Sequence, residues 1–201
     1  FTSFLVTPPG WFFFTFPILL ITKNILFSSF LSLVLIYILG FIAIYYAGKK
    51  FNFSPIERIF FYLLIFANAI AVGNYIRLGR LPEVFSFLAF IIFALLILEY
   101  KDKQINRNFI YVILVYSILI ISHPTMLIAG SILWLSIFLI KPIKEKIHIL
   151  FSIFLSFLLT AFWWVPYLKT VFNTAGIKSP ITYDLLNFSK NYLFQNIATF
   201  L

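Results

Sequence analysis

Three short constellations carry the residue types that chemistry needs. The first is Asn74-Tyr75-Ile76-Arg77-Leu78-Gly79-Arg80-Leu81-Pro82-Glu83. Guanidinium groups stay charged and grip phosphate or carboxylate through two parallel hydrogen bonds. Arg77 and Arg80 beside Glu83 are therefore candidates for holding the phosphate of a lipid carrier. The plainer alternative is that one arginine pairs with Glu83 and reaches to the headgroups. The second is Ser122-His123-Pro124. Proline disfavours helix at the residue before it, so the chain should break at His123. The third is Phe162-Trp163-Trp164-Val165-Pro166-Tyr167, where Trp163 and Trp164 either anchor the chain at an interface or stack on a sugar or isoprenoid.

These residues sit in an extremely apolar chain. Of its 201 residues 63% are hydrophobic and only 10% charged, and the mean hydropathy is +1.05. A soluble domain carries about 25% charged residues, so a bilayer is the solvent that suits this surface. Disorder is excluded by the same composition. The net charge of +9 is read as topology rather than nucleic-acid binding, because the basic residues fall in short breaks between apolar runs. No cysteine is present.

A helix needs about 20 apolar residues to span a membrane. Residues 25–47, 59–76, 81–98, 109–122, 125–140 and 147–168 form six such runs of varying length. The expectation is an all-α, polytopic transmembrane helix bundle of about six spans. Residues 11–22, introduced by Pro8-Pro9-Gly10, are short and read as a half-inserted helix with both prolines in its first turn. Lys49, Lys50 and Arg58, then Lys101, Lys103 and Arg107, then Lys141, Lys144 and Lys146 occupy alternate breaks. The positive-inside rule makes these loops cytoplasmic and places the three candidate constellations on the outer side. Residues 1–170 form the transmembrane helical domain. Residues 171–201, with Asn173, Lys178 and Asp184, read as an outer-face interfacial segment. Pro166 is expected to end or kink the last span.

Residues 109–122 rise only about 21 Å as a helix, so the break at His123 would lie inside the outer leaflet. Irregular backbone and an ionisable group at that depth point to a cavity. A helix-capping histidine, or a proline kink in one long helix, is the alternative. Asn68 and Asn74 read as interhelical hydrogen-bond partners, and His148 as an interfacial residue. No metal-ligand spacing, glycine-rich phosphate loop or nucleophile elbow appears.

Pro8-Pro9-Gly10-Trp11, Gly48-Lys49-Lys50-Phe51-Asn52-Phe53-Ser54, Gly79-Arg80-Leu81-Pro82-Glu83, Ser122-His123-Pro124 and Phe162-Trp163-Trp164-Val165-Pro166 occur in that order. Over residues 8–167 this resembles the GT-C superfamily of membrane glycosyltransferases, nearest to its prokaryotic branch of pyruvoyl-tetrahydropterin-synthase-related membrane proteins. The resemblance implies transfer of a sugar from a polyprenyl-phosphate carrier at the outer face of a prokaryotic plasma membrane. It also implies an acidic residue in a first outer loop, serving as catalytic base or metal ligand, which would lie upstream of Phe1. Residues 1–7 hold no Asp or Glu, and the chain reads as part of a longer polypeptide. Arg77, Arg80 and Glu83 would then bind substrate, with Trp163 and Trp164 beside it and His123 assisting proton transfer. The cofactor is left open. The partners expected are the bilayer and a lipid-linked sugar, not nucleic acid. A non-enzymatic transporter or lipid-handling subunit is the reading from another class.

Overall fold

Side chains that replace missing backbone partners set where the helices begin. In the computed structural model, which describes residues 8–67 and 81–174, the Asn24 carboxamide accepts from the Leu26 and Phe27 amides at 3.0 and 3.1 Å. It thereby opens a 26-residue helix, Ile25–Lys50. Ser54 and Glu57 form a reciprocal capping box: the Glu57 amide donates to Ser54 Oγ at 3.3 Å and the Ser54 amide to Glu57 Oε2 at 2.7 Å. Pro55 and Pro124 each take a first helical position, where a missing N–H costs nothing.

The helices are α1 (Gly10–Thr22), α2 (Ile25–Lys50), α3 (Pro55–Phe66), α4 (Leu81–Lys101), α5 (Ile110–Ile120, entered through a 3-10 turn at Arg107–Phe109), α6 (Pro124–Ile140), α7 (Ile143–Leu159) and α8 (Ala161–Thr174). No strand occurs among the described residues. The first turn of α1 differs from expectation. Pro8 and Pro9 precede the helix, and the first helical residue is Gly10, whose amide takes a partner from another element.

Ring and hydrogen-bond pairs fix the directions of the helices. Tyr37 with Phe66, Phe41 with Tyr62 and Arg58 with Tyr45 make α2 and α3 an antiparallel hairpin. Phe93 with Tyr116, and Tyr100 with Phe109, do the same for α4 and α5. The Tyr116 and Ser131 hydroxyls, 3.0 Å apart, bind α5 to α6 across the His123 break. The break thus separates two antiparallel helices and is not a kink in one. α4 is shared by two cores. Val84, Phe85 and Leu88 pack with Trp11, Ile36, Ile44 and Phe66, while Phe93, Ile97 and Tyr100 pack with Tyr116, Trp134 and Ile149.

The burial pattern is inverted relative to a soluble bundle. The buried line of α2 is Ser28, Ser32, Ile36, Gly40, Ile44 and Gly48, one residue per turn. Phe27, Phe30, Ile38 and Ile42 point outward. α7 buries Ile149, Ser152 and Ser156 and exposes Leu150, Phe151 and Phe154. Small residues inside and large apolar ones outside suit helices packed within lipid, where close backbone approach replaces hydrophobic drive. The buried hydroxyls bond back to their own helices: Ser32 to the Ser28 carbonyl at 2.7 Å, and Ser156 to the Ser152 carbonyl at 2.9 Å. Ser156 also donates to the Ile113 carbonyl of α5 at 3.2 Å. Among the described residues α2 and α4 are long and apolar enough to cross a membrane, and α7 with α8 makes a third candidate if the bent pair is one span.

That last pair corrects one expectation. Residues 147–168 are not a single helix broken at Pro166. The chain bends by 71° between α7 and α8 at Thr160, and Pro166 lies inside α8. The carbonyls released at the bend find other donors. Thr160 Oγ1 donates to the Ser156 and Phe157 carbonyls at 2.9 and 3.2 Å, and the Trp164 indole donates to the Phe157 carbonyl at 2.7 Å. The position of the break is set by that local satisfaction rather than by the proline. α8 also continues as far as Thr174, across the expected boundary between residues 170 and 171.

Lys50 bonds Glu99 at 2.5 Å, Lys103 bonds Glu99 at 2.9 Å, and the buried Lys141 ammonium donates to the Lys103 carbonyl. The three basic breaks therefore meet at one end of the bundle, as the alternation of charge predicts. At the same end, Ser54→Ala should lower stability by about 1 kcal/mol, the usual cost of losing an N-cap. Chemical denaturation in detergent measures it. The Ser54 hydrogen bonds hold the Glu57 carboxyl below its ordinary range. Their stabilisation is therefore present above the unfolded-state pKa and is lost as pH falls through the folded one. The wild type should converge on Glu57→Gln in acid, since that variant lacks only the titrating carboxylate.

Candidate functional site

At the opposite end, three segments converge. The Gly10 amide donates to the Ile121 carbonyl at 2.7 Å and seats the start of α1 on the α5–α6 break. A Cβ at position 10 would lie 2.7 Å from Ser122 Oγ and 2.9 Å from the Ile121 oxygen, so only glycine admits this approach. Ser122 is fully buried and donates to the Ile118 carbonyl at 2.5 Å. Its hydroxyl is thus committed to the end of α5. His123 has extended backbone, and its carbonyl takes the Leu127 amide at 3.1 Å as the first bond of α6.

The third segment is the first turn of α4. Glu83 sits there, where the positive end of the helix dipole favours a carboxylate. Its Oε1 lies 3.7 Å from His123 Nε2, and both side chains are about one-quarter exposed, at 26% and 28%. That separation is beyond a direct hydrogen bond but within ion-pair range when the imidazole is protonated. The pair arises because α4 and α6 run parallel, with Phe93 against Trp134 midway and Lys103 meeting Lys141 at the far end. Trp11 is buried beneath, and the Phe14 ring stacks on Phe85 at 4.9 Å. A carboxylate facing an imidazole at the mouth of a helical break is an acid–base pair able to accept and return a proton.

The remaining candidates divide. Arg77 and Arg80, with Asn68 and Asn74, lie outside the described residues. Trp164 is a brace for the α7–α8 bend, since its indole N–H is taken by the Phe157 carbonyl. Trp163 stacks on Tyr167 with ring centroids 5.5 Å apart and planes at 12°. Its buried indole N–H has no hydrogen-bond partner among the described residues. Phe162 meets Phe13 at 6.1 Å, which sets the start of α8 beside α1. Among the described residues neither indole is hydrogen-bonded to Glu83 or His123. His148 Nδ1 faces the Lys144 carbonyl at 3.1 Å on α7, away from this site.

No protein-family model, curated protein or solved structure matches the chain. The site therefore stands on its own residues. No group of three or more His, Asp or Glu side chains suited to a metal occurs among the described residues. Sequence reasoning missed Gly10 as the seat of the break. It grouped Pro8-Pro9-Gly10 and Ser122-His123 as separate motifs, and the only hint of their contact is that glycine stands where a helix begins.

Proposed function

We propose that this chain is part of a multi-pass GT-C-like membrane glycosyltransferase that moves a sugar from a polyprenyl-phosphate carrier at the outer membrane face. In this reading six helical runs cross a prokaryotic plasma membrane, α1 is half-inserted, and the lysine-rich end is cytoplasmic. The observation that carries it is the Glu83–His123 pair at the end of the bundle opposite the lysine cluster, at a break in the chain. An inverting displacement at an anomeric carbon needs a base for the acceptor and cations for the departing phosphate. Glu83 and His123 supply proton transfer. Arg80, directly before the first residue of α4, and Arg77 supply the phosphate clamp. Trp163, next to the Phe162 that meets α1, has a buried indole N–H with no hydrogen-bond partner among the described residues, a donor for a sugar hydroxyl or carrier.

Replacing Arg80 by alanine in the full-length protein should depress sugar transfer from a polyprenyl-phosphate donor about 100-fold or more, the scale for removing a charged group from a transition state. Wild-type turnover in that variant sinks the clamp. A second reading is favoured by the 71° bend of α7–α8 and the broken α5–α6 pair, since discontinuous helices also build transporter sites. Substrate-dependent flux in proteoliposomes without glycosylated product would replace the enzyme with that transporter.

A further inference from the structure

The lysine-rich end holds a cavity that the proposed chemistry does not use. It lies between α2 and α4, measures about 660 Å³, and is walled by apolar residues such as Ala47 and Leu95. Tyr46, Lys50, Glu99, Asp102 and Lys103 stand around its polar part. A second, apolar cavity of about 210 Å³ adjoins it, sharing Phe51, Leu95 and Leu98 and reaching Phe61 of α3. Two adjoining apolar spaces beside one charged cluster have the form of a site for a two-chain lipid. The larger falls within the usual size range of small-molecule sites, about 300–1,000 Å³.

The charges choose the headgroup. Two cations and two anions line the cavity, so its formal charge is zero, and a purely anionic headgroup gains no net attraction. Both lysines spend a donor on the same carboxylate, Glu99, at 2.5 and 2.9 Å. Each ammonium has three donors, so both keep some for a phosphate. Asp102 is exposed and makes no hydrogen bond or ion pair among the described residues. It is an acceptor without a donor beside two cations with donors to spare. We infer that this groove binds a phospholipid carrying both a phosphate and a primary ammonium, a phosphatidylethanolamine, with the phosphate on Lys50 and Lys103 and the ammonium on Asp102. The inference rests on the chain lying in a bilayer and is independent of sugar transfer.

The test uses full-length protein, delipidated in detergent and examined by native mass spectrometry with equal phosphatidylethanolamine, phosphatidylglycerol and phosphatidylcholine. The wild type should retain phosphatidylethanolamine in preference to both others. Asp102→Asn should weaken that retention about tenfold, the loss of one charged hydrogen bond, while phosphatidylglycerol, facing a site that is now net positive, should be retained no less than before. Ala47→Trp, which fills the apolar wall, should lower binding of every lipid. Lys144→Ala, exposed on α7 and outside the cavity, should change nothing. Equal or better retention of phosphatidylglycerol by the wild type overturns the inference, as does an Asp102→Asn variant that keeps the full preference. Selective retention by a preparation with no transferase activity would still uphold it.

Discussion

Glu83→Gln and His123→Ala, each made in the full-length protein, should lower sugar transfer about 100-fold, and the double variant should be scarcely worse than either single one. General acid–base groups contribute about 10²- to 10⁴-fold. Residues that act as a unit are non-additive, because the shared proton transfer needs both. The 3.7 Å separation of Nε2 and Oε1 makes these two such a unit. Initial rates with a polyprenyl-phosphate-linked sugar give the cycle, and thermal unfolding of each variant in detergent separates chemistry from folding. Strictly multiplicative losses would mean that the two side chains act independently. Unchanged rates in both single variants would remove proton transfer from this end of the bundle and turn attention to transport.

Gly10→Ala should be the most disruptive single methyl in the described structure. The added carbon meets the Ile121 oxygen at 2.9 Å and Ser122 Cα at 3.0 Å, and both are backbone atoms that no rotamer change can move. Overpacking of this kind costs about 1–3 kcal/mol. Relief by shifting α1 would sacrifice the 2.7 Å bond from the Gly10 amide to Ile121. The expected result is a lowered melting temperature together with a loss of activity, because the break that carries His123 is what moves. Gly48→Ala is the comparison. The nearest atom there is Arg58 Cγ at 2.7 Å, a side-chain rather than a backbone atom, which can shift at the cost of the Arg58 Nε bond to the Phe53 carbonyl. A similar fall in melting temperature for both variants would show that the seat of α1 is not specially tight.

Much of the architecture was legible because its signals are local. Run lengths and the proline after His123 act on the residues next to them. Basic residues in alternate breaks also carried long-range information. An up-and-down chain must bring alternate turns to the same end, and Lys50, Glu99, Lys103 and Lys141 do meet there. The repeat Ser28, Ser32, Ile36, Gly40, Ile44 and Gly48 was equally visible in the sequence and went unread. Periodicity tells which residues share a face, but in a helix apolar all round it does not tell which face is covered. The bend at Thr160 was missed for another reason. Proline is the strong local breaker, yet the outcome turned on whether the freed carbonyls of Ser156 and Phe157 found donors, and Thr160 and Trp164 supplied them.

By itself the sequence determined a helical, lipid-compatible chain, its break at His123, and the separation of basic breaks from the rest. Those properties follow from solvation and backbone geometry, which each short segment settles alone. Only the tertiary structure decided that Gly10 rests on Ile121 and that Glu83 faces His123. It also decided that Asp102 stands beside two lysines already sharing one carboxylate. Each of these joins residues from different helices. Their meeting depends on which small-residue stripe packs against which neighbour, at what register and in which direction, and no single stretch of chain encodes that.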